Sequence, residues 1–168
     1  MRILGIDPGS RFTGFGVIEV QGDRARCIAH GVIKTGGKAG GDEFLQRLGI
    51  IFSGIRDVIE SHKPDQVAVE SVFLSRNPDS ALKLGQARGA ALCAAIEQGL
   101  PVSEYSPRSV KQAIVGSGSA DKVQVKHMVA VLLQVRGEIS EDAADALAVA
   151  LCHQHTQETV QRMRKLPG

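Results

Sequence analysis

The chain opens with Met1-Arg2-Ile3-Leu4-Gly5-Ile6-Asp7-Pro8-Gly9-Ser10, a short apolar run that ends in an acid and a turn. A run of this length, bounded by Pro-Gly, is typical of a buried strand. A second strand is predicted over 14–20, and Gln21-Gly22-Asp23 indicates a hairpin into a third strand over 24–35. Strands joined this closely are expected to be antiparallel neighbours, because a parallel pair needs a long crossover.

Beyond this hairpin unit, helices alternate with two further short strands. The predicted strands are 66–69 and 101–105. The first predicted helix begins after an N-cap at Asp42 and ends at Lys63-Pro64. Four further helices are predicted at about 79–97, 108–115, 121–134 and 140–154. The pattern predicts an α/β fold with a five-stranded mixed sheet flanked by helices. No repeat or linker divides the chain, so we expect a single domain over 1–157 and a flexible tail over 158–168.

Composition narrows the class of protein. The chain has 168 residues, 43% of them hydrophobic, and a net charge of only +2, which argues against a disordered or collagen-like protein and does not by itself indicate a nucleic-acid binder. No apolar run is long enough to span a membrane, and Asp7 interrupts the N-terminal apolar stretch too early for a signal peptide. We therefore expect a cytoplasmic protein.

The cysteines do not indicate a disulfide framework or a zinc site. Cys27, Cys93 and Cys152 are odd in number and widely spaced, with no CxxC pair. The stretch Cys152-His153-Gln154-His155 invites comparison with a metal cluster. Adjacent residues of a helix point in different directions, however, so we interpret it as a buried thiol beside surface histidines.

Carboxylates mark the candidate site. Asp7 and Glu70 each end an apolar strand, and if the two strands run the same way both acids emerge at one edge of the sheet, where open α/β sheets place their sites. Asp142 and Asp145 are three residues apart and share one helix face. Converging acids repel one another unless a hard cation such as Mg²⁺ or Mn²⁺ binds them, and paired ions can hydrolyse a phosphodiester.

Each acid also has a plain structural interpretation. Asp7 before Pro8-Gly9 is a suitable turn residue, and Asp142 is an acid favoured near a helix N-terminus. Glu70 is harder to explain in this way, because a buried acid at the end of an apolar strand needs a partner.

Four blocks of sequence carry a family resemblance. They are Gly5-Ile6-Asp7-Pro8-Gly9-Ser10 with Thr13-Gly14; Glu70-Ser71-Val72-Phe73 with the stretch from Asn77 to Gly89; Val110-Lys111-Gln112, Val115-Gly116 and Gly118-Ser119-Ala120; and Asp142-Ala143-Ala144-Asp145-Ala146-Leu147-Ala148. Together these blocks resemble the RuvC family of bacterial Holliday-junction resolvases, and the similarity runs to about His155.

The resemblance implies a ribonuclease-H-like fold, a homodimer, and symmetric Mg²⁺-dependent nicking of four-way DNA junctions in recombination and repair. By position it assigns catalysis, and the binding of two metal ions, to Asp7, Glu70, Asp142 and Asp145. Some family members carry histidine at the position of Asp142, so this chain has the all-carboxylate set. RuvA and RuvB are the implied partner proteins.

The resemblance also implies DNA contacts. Phe73 would stack on DNA near the junction centre, although a core phenylalanine is the commoner case. Lys111 and Lys122 match basic residues near the scissile phosphate, and a wider basic rim would comprise Arg76, Lys83, Arg88, Arg108 and Lys126. An ordinary solvated face is the alternative. The loop Gly116-Ser117-Gly118-Ser119 can offer backbone N–H groups to a phosphate, but it is not a Walker A loop.

Two other functions are compatible with part of the pattern. The stretch from Gly5 to Ser10 also resembles the phosphate loop of sugar kinases and actin-like ATPases, which would make the chain a nucleotide-binding phosphotransferase. Those proteins close two such domains around a nucleotide, whereas this chain contains one copy. A non-catalytic junction-binding scaffold is the third possibility, but four acids facing an anionic backbone argue against it.

Overall fold

A computed structural model describes residues 1–22, 24–36, 41–71 and 77–164. Its centre is a five-stranded sheet in the order β3-β2-β1-β4-β5. The strands are β1 Arg2–Asp7, β2 Phe12–Gln21, β3 Arg24–Lys34, β4 Gln66–Glu70 and β5 Val102–Tyr105. The first three are antiparallel neighbours, whereas β4 and β5 are parallel to β1. This mixed sheet confirms the predicted fold class.

Helices cover both faces of the sheet. They are α1 Gly41–His62, α2 Pro78–Glu97, α3 Pro107–Val115, α4 Lys122–Leu132 and α5 Glu141–Arg164. One core lies between the sheet and α1 and α2, and the other lies between the sheet and α3, α4 and α5. Side-chain caps define the starts of three helices, at Asn77, Ser106 and Asp121. None of the described helices combines the length and the hydropathy needed to cross a membrane.

Strand β1 divides its side chains between the two cores. Ile3 belongs to the core under α5, while Leu4 and Ile6 belong to the core under α1 and α2. Successive side chains of a strand point to opposite faces of the sheet. Gly5 and Asp7 therefore share the α5 face with Ile3.

Helix α5 lies unusually close to β1 and β2 because glycines face it. A Cβ at Gly5 would overlap the carbonyl oxygen of Ala146, and a Cβ at Gly14 would overlap that of Asp142. At Gly16, a Cβ would lie 2.6 Å from the side chain of Leu147. The missing side chains thus bring the start of α5 into direct contact with the strands.

Two helix boundaries differ from the sequence-based prediction. Helix α5 was expected to end near Gln154 with a tail over 158–168, but it continues to Arg164. The extension contains no glycine or proline, and its turns are linked by Gln154 Nε2 donating to Glu158 (2.8 Å) and by the Glu158–Arg162 ion pair (3.8 Å). At the other boundary, α1 begins at Gly41, so Asp42 lies inside the helix instead of preceding it.

The glycine contact predicts a specific loss of stability. Replacing Gly14 with alanine places a Cβ against the α5 backbone, which cannot move away without disturbing the core. We expect Gly14→Ala to lower the free energy of unfolding by about 1–3 kcal/mol or more. Urea unfolding followed by circular dichroism measures this.

Gly49 is the matched control for this substitution. It is an exposed glycine inside α1, and a Cβ there meets nothing within 4 Å. Gly49→Ala should raise the free energy of unfolding by about 0.5–1 kcal/mol, because alanine is the better helix residue. Equal effects of the two substitutions would contradict the packing argument.

Candidate active site

Two of the four predicted acids leave the sheet side by side. Strands β1 and β4 are parallel, and Ile6 pairs with Val69, so Asp7 and Glu70 follow at the same edge. Ala68 belongs to the core under α5, and alternation therefore points Glu70 to the α5 face, as it does Asp7. Neighbouring strands are about 4.8 Å apart, which places these two carboxylates next to each other.

The acids of α5 lie over this edge. Gly14 is the cross-strand partner of Asp7, and a Cβ at Gly14 would lie 3.1 Å from the Cβ of Asp142. One helical turn further on, Asp145 forms an ion pair with Lys122, with 3.3 Å between Oδ2 and Nζ. The structure thus brings together acids that are far apart in the sequence.

Burial and the crowding of negative charge raise the pKa values of three of these acids. Burial, reinforced by the negative charges of Glu70, Asp145 and Asp142, raises the pKa of Asp7 to about 8. Burial and the charge of Asp145 also raise the pKa of Glu70. The pKa of Asp145 is raised by burial as well, although Lys122 opposes the shift. The described cations therefore offset only part of the repulsion.

The donor set suits a hard divalent cation. All four acids offer carboxylate oxygens, the ligands that Mg²⁺ and Mn²⁺ prefer, and bound positive charge would relieve the repulsion that raises the pKa of Asp7. Within the described part of the chain, no three His, Cys, Asp or Glu side chains stand at the spacing of a ready-made metal site. The residues fit such ions in chemistry, and holding them would require small movements of the side chains.

A chain of surface cavities runs past the acids. A cavity of about 170 Å³ is lined by Glu70, Asp145, Lys111 and Lys122. It shares Lys111 with a groove of about 650 Å³ that contains Arg108 and the loop 116–119. On the other side it shares Lys122 and Asp145 with a groove of about 580 Å³, lined further by residues that include Lys126, His127 and Glu141. Basic side chains therefore flank the acids on both sides.

The predicted DNA contacts fall into two groups. Arg108, Lys111, Lys122 and Lys126 line the cavities beside the acids. By contrast, Lys83 pairs with Asp79 and Arg88 pairs with Glu104. These two basic residues do not line the cavities beside the acids. Phe73 and Arg76 lie outside the described residues.

The cysteine and histidine cluster differs in part from its interpretation. Cys152 is buried and free, as expected, and Cys27 and Cys93 are also free. The prediction that His153 is a surface residue is wrong, because α5 turns this face inward onto β4 and β5. The imidazole hydrogen-bonds to Tyr105 and Gln66, two residues that the sequence pattern did not single out. A histidine inside an apolar helical run was the available signal.

The raised pKa of Asp7 predicts how stability depends on pH without metal. The carboxyl titrates near pH 8 in the folded protein and near its ordinary value of 3.8 when unfolded. Between these values the folded state binds more protons, so the free energy of unfolding falls as pH rises. In EDTA at pH 8, the free energy of unfolding of Asp7→Asn should exceed that of wild type by about 1–3 kcal/mol after allowance for solvent screening. This difference should vanish near pH 4.

Chemical unfolding across this pH range measures the effect, with Asp57→Asn as the control. Asp57 is an exposed acid of α1, and its substitution should change stability little at any pH. A less stable Asp7→Asn protein at pH 8 would contradict the crowding of these charges.

Comparisons with known proteins agree with this arrangement. A family model described as Crossover junction endodeoxyribonuclease RuvC matches residues 3–153. Proteins of that description from Tolumonas auensis and Methylococcus capsulatus are 55% and 52% identical, covering 96% and 98% of this chain and 91% and 97% of the relatives. The nucleotide-binding phosphotransferase alternative is not favoured by these matches.

Solved structures lead to the same family. Thermus thermophilus RuvC in complex with Holliday junction substrate aligns with a TM-score of 0.86 at 39% identity, covering 95% of this chain and 96% of that one. The yeast mitochondrial Holliday junction resolvase Ydc2, at 15% identity and a TM-score of 0.68, shares the fold. The sequence and the structure together establish that this chain belongs to the RuvC family of crossover junction endodeoxyribonucleases.

Proposed function

We propose that this chain resolves Holliday junctions in homologous recombination and DNA repair, as a structure-selective endonuclease that nicks two strands symmetrically. The observation that carries the proposal is the meeting of Asp7, Glu70 and the α5 acids at one sheet edge, between basic grooves. Acids alone would repel a DNA strand, whereas acids flanked by lysine and arginine suit a phosphodiester and its metal ions.

The four carboxylates Asp7, Glu70, Asp142 and Asp145 would hold two Mg²⁺ ions, with Mn²⁺ as a substitute. When bound, such ions activate a water molecule and stabilise the leaving oxygen. Lys122 holds Asp145 through their ion pair, which keeps this acid on the site. Lys111, which lines the same small cavity, is placed to neutralise a phosphate oxygen beside Glu70.

Junction binding would rest on phosphate contacts on either side of the acids. Arg108 lies against Gly118, and none of the described residues that line their shared groove is acidic. Lys126 extends the basic surface beyond Lys122 on the other side. Such contacts carry no sequence information, so they favour recognition of DNA by its path.

The outer face of α2 supports a homodimer. Leu82 and Ile96 are 69% and 63% exposed, and a Cβ at Gly85 or Gly89 on the same helix meets nothing within 4 Å. Exposed apolar side chains beside small residues permit close approach of a second helix. A two-fold dimer would present two identical sites to the two strands of a junction that must be cut.

Association with RuvA and RuvB is a further part of the proposal, and it rests on the family resemblance alone. Co-sedimentation of the chain with RuvA–RuvB on a four-way junction tests it. Failure to co-sediment would remove this part without affecting nicking.

The nicking reaction tests the catalytic assignment. Asp7→Asn should lower the rate of junction nicking in Mg²⁺ by about 10²–10³-fold, because one group that holds charge at the reacting centre is lost. Junction binding should be retained, since the change removes a negative charge. A gel assay on a synthetic four-way junction measures both.

Asp57→Asn is again the matched control and should nick at the wild-type rate. Wild-type activity of Asp7→Asn would refute the carboxylate site. Nicking by the wild-type protein in EDTA at the rate seen in Mg²⁺ would refute the dependence on metal.

The dimer proposal predicts a monomeric variant. Leu82→Glu places a charge on the exposed apolar face of α2 without opening the core, so it should leave Tm within a few degrees of wild type. We expect sedimentation equilibrium to show a monomer, and junctions to receive single, uncoordinated nicks. A dimeric Leu82→Glu protein would exclude this face as the interface.

A further inference from the structure

A set of hydrogen bonds around one buried histidine joins α5 to β4 and β5. His153 is 2% exposed, and its Nδ1 lies 2.7 Å from the Tyr105 hydroxyl. Its Nε2 lies 2.7 Å from Oε1 of Gln66, which also accepts from Gln157 Nε2 at 2.8 Å. We call Gln66, Tyr105 and His153 the His153 network.

The partners define the form of the imidazole. Oε1 of Gln66 can only accept, so its 2.7 Å contact places the proton on Nε2 of His153, and Nδ1 accepts from the Tyr105 hydroxyl. Gln157 Nε2 also lies 3.1 Å from Nε2 of His153, but its shorter contact of 2.8 Å is its donation to Oε1 of Gln66. Burial lowers the pKa of His153, which keeps the ring neutral. Both ring nitrogens are thus bonded, and the network is satisfied without a charge.

The network joins α5 and β4, two of the three elements that carry the acids. Asp145 and His153 are eight residues apart on α5, which is about 12 Å. Gln66 and Glu70 are four residues apart on β4, which is about 13 Å. The helix and the strand therefore face each other at two corresponding positions. The His153 network lies at one of them and the acids lie at the other.

At the level of the acids the connection is repulsive. As carboxylates, Asp142 and Asp145 carry the same charge as Asp7 and Glu70 at the strand ends, so electrostatics alone pushes the start of α5 away from the sheet. Near this level the α5 backbone at Ala146 and Asp142 lies directly against Gly5 and Gly14, which carry no side chain. Such contacts resist sliding weakly, whereas hydrogen bonds have a preferred direction and length.

Tyr105 extends the connection to the end of β4. Its carbonyl oxygen accepts from both the backbone N–H of Ser71 (2.8 Å) and the Ser71 hydroxyl (3.1 Å). Ser71 directly follows Glu70, and Ser106, which directly follows Tyr105, caps the helix that carries Lys111. A shift of Tyr105 would therefore reach two side chains of the candidate site.

We propose that His153 is a positioning residue that sets the axial position of α5 on β4, and with it the spacing between the α5 acids and the Asp7–Glu70 pair. This inference rests on the proposed role of the acids in binding metal. It concerns a side chain that lies about two helical turns from Asp145 and does not reach the substrate.

The test uses the full chain and Mn²⁺ alone. His153→Leu removes both hydrogen bonds and keeps an apolar side chain in the space. We expect its affinity for Mn²⁺, measured by titration calorimetry, to fall about 10–100-fold, the range seen when a residue that supports metal ligands is lost. The kcat for nicking should fall with it, while the Kd for a four-way junction in EDTA stays at the wild-type value.

Graded variants separate positioning from general destabilisation. His153→Gln can still donate to Gln66, and Tyr105→Phe keeps the imidazole but loses its other partner, so both should give Mn²⁺ affinities between wild type and His153→Leu. Val149→Ala, a buried change on the same helix, should lower Tm and leave Mn²⁺ affinity unchanged. If His153→Leu does not fold, the two single-bond variants decide the question.

The outcomes distinguish the two proposals. If Asp7→Asn binds Mn²⁺ as wild type does, the proposed metal site is wrong. If Asp7→Asn loses Mn²⁺ while His153→Gln and Tyr105→Phe bind it with wild-type affinity and nick at the wild-type rate, His153 has no positioning role. Loss of affinity in Val149→Ala equal to that of the network variants would overturn it as well.

Discussion

The contact between the α5 backbone and three glycines is the constraint on which the site depends. Gly5, Gly14 and Gly16 leave the α5 face of β1 and β2 without side chains where the helix crosses. Cβ atoms at these positions would overlap α5, so with ordinary side chains there the helix and its acids would stand farther from the strand ends. Because the glycines lack Cβ atoms, α5 lies close enough to the sheet for Asp142 and Asp145 to face Asp7 and Glu70.

Core packing favours the close approach of α5 to the sheet, whereas repulsion between the acids opposes it. The core beneath α5, built from residues such as Leu147 and Val149, draws the helix toward the sheet. The acids push it away, and burial together with their negative charges raises the pKa of Asp7, a shift that Lys122 opposes only in part. The protein tolerates the conflict since the ion pair of Lys122 with Asp145 offsets part of it. A bound cation would reverse this electrostatic balance, because such an ion is often the largest local charge in a site.

Sequence patterns predicted the parts of this arrangement that depend on local periodicity. An acid at the end of each of two apolar strands led us to expect Asp7 and Glu70 at one edge, and the spacing of Asp142 and Asp145 placed both on one helix face. Turn residues predicted the antiparallel hairpins. The extension of α5 to Arg164 was missed because a polar helix end resembles a polar tail when no breaker marks it. The burial of His153 was missed because it depends on Tyr105 and Gln66, which only the tertiary fold brings near. Nor did charge alone reveal that Lys83 and Arg88 are paired with acids.

The packing of α5 across the sheet has a consequence for incompletely synthesised chains. The first acid is residue 7, and the last two belong to α5, the final described element to leave the ribosome. A nascent or truncated polypeptide that lacks α5 exposes the apolar face around Ile3 and presents only half of the acids. On the proposed mechanism such a fragment cannot cut DNA. Such a copy is therefore inactive as a nuclease, and its exposed apolar face makes it a target for the proteases that remove misfolded chains.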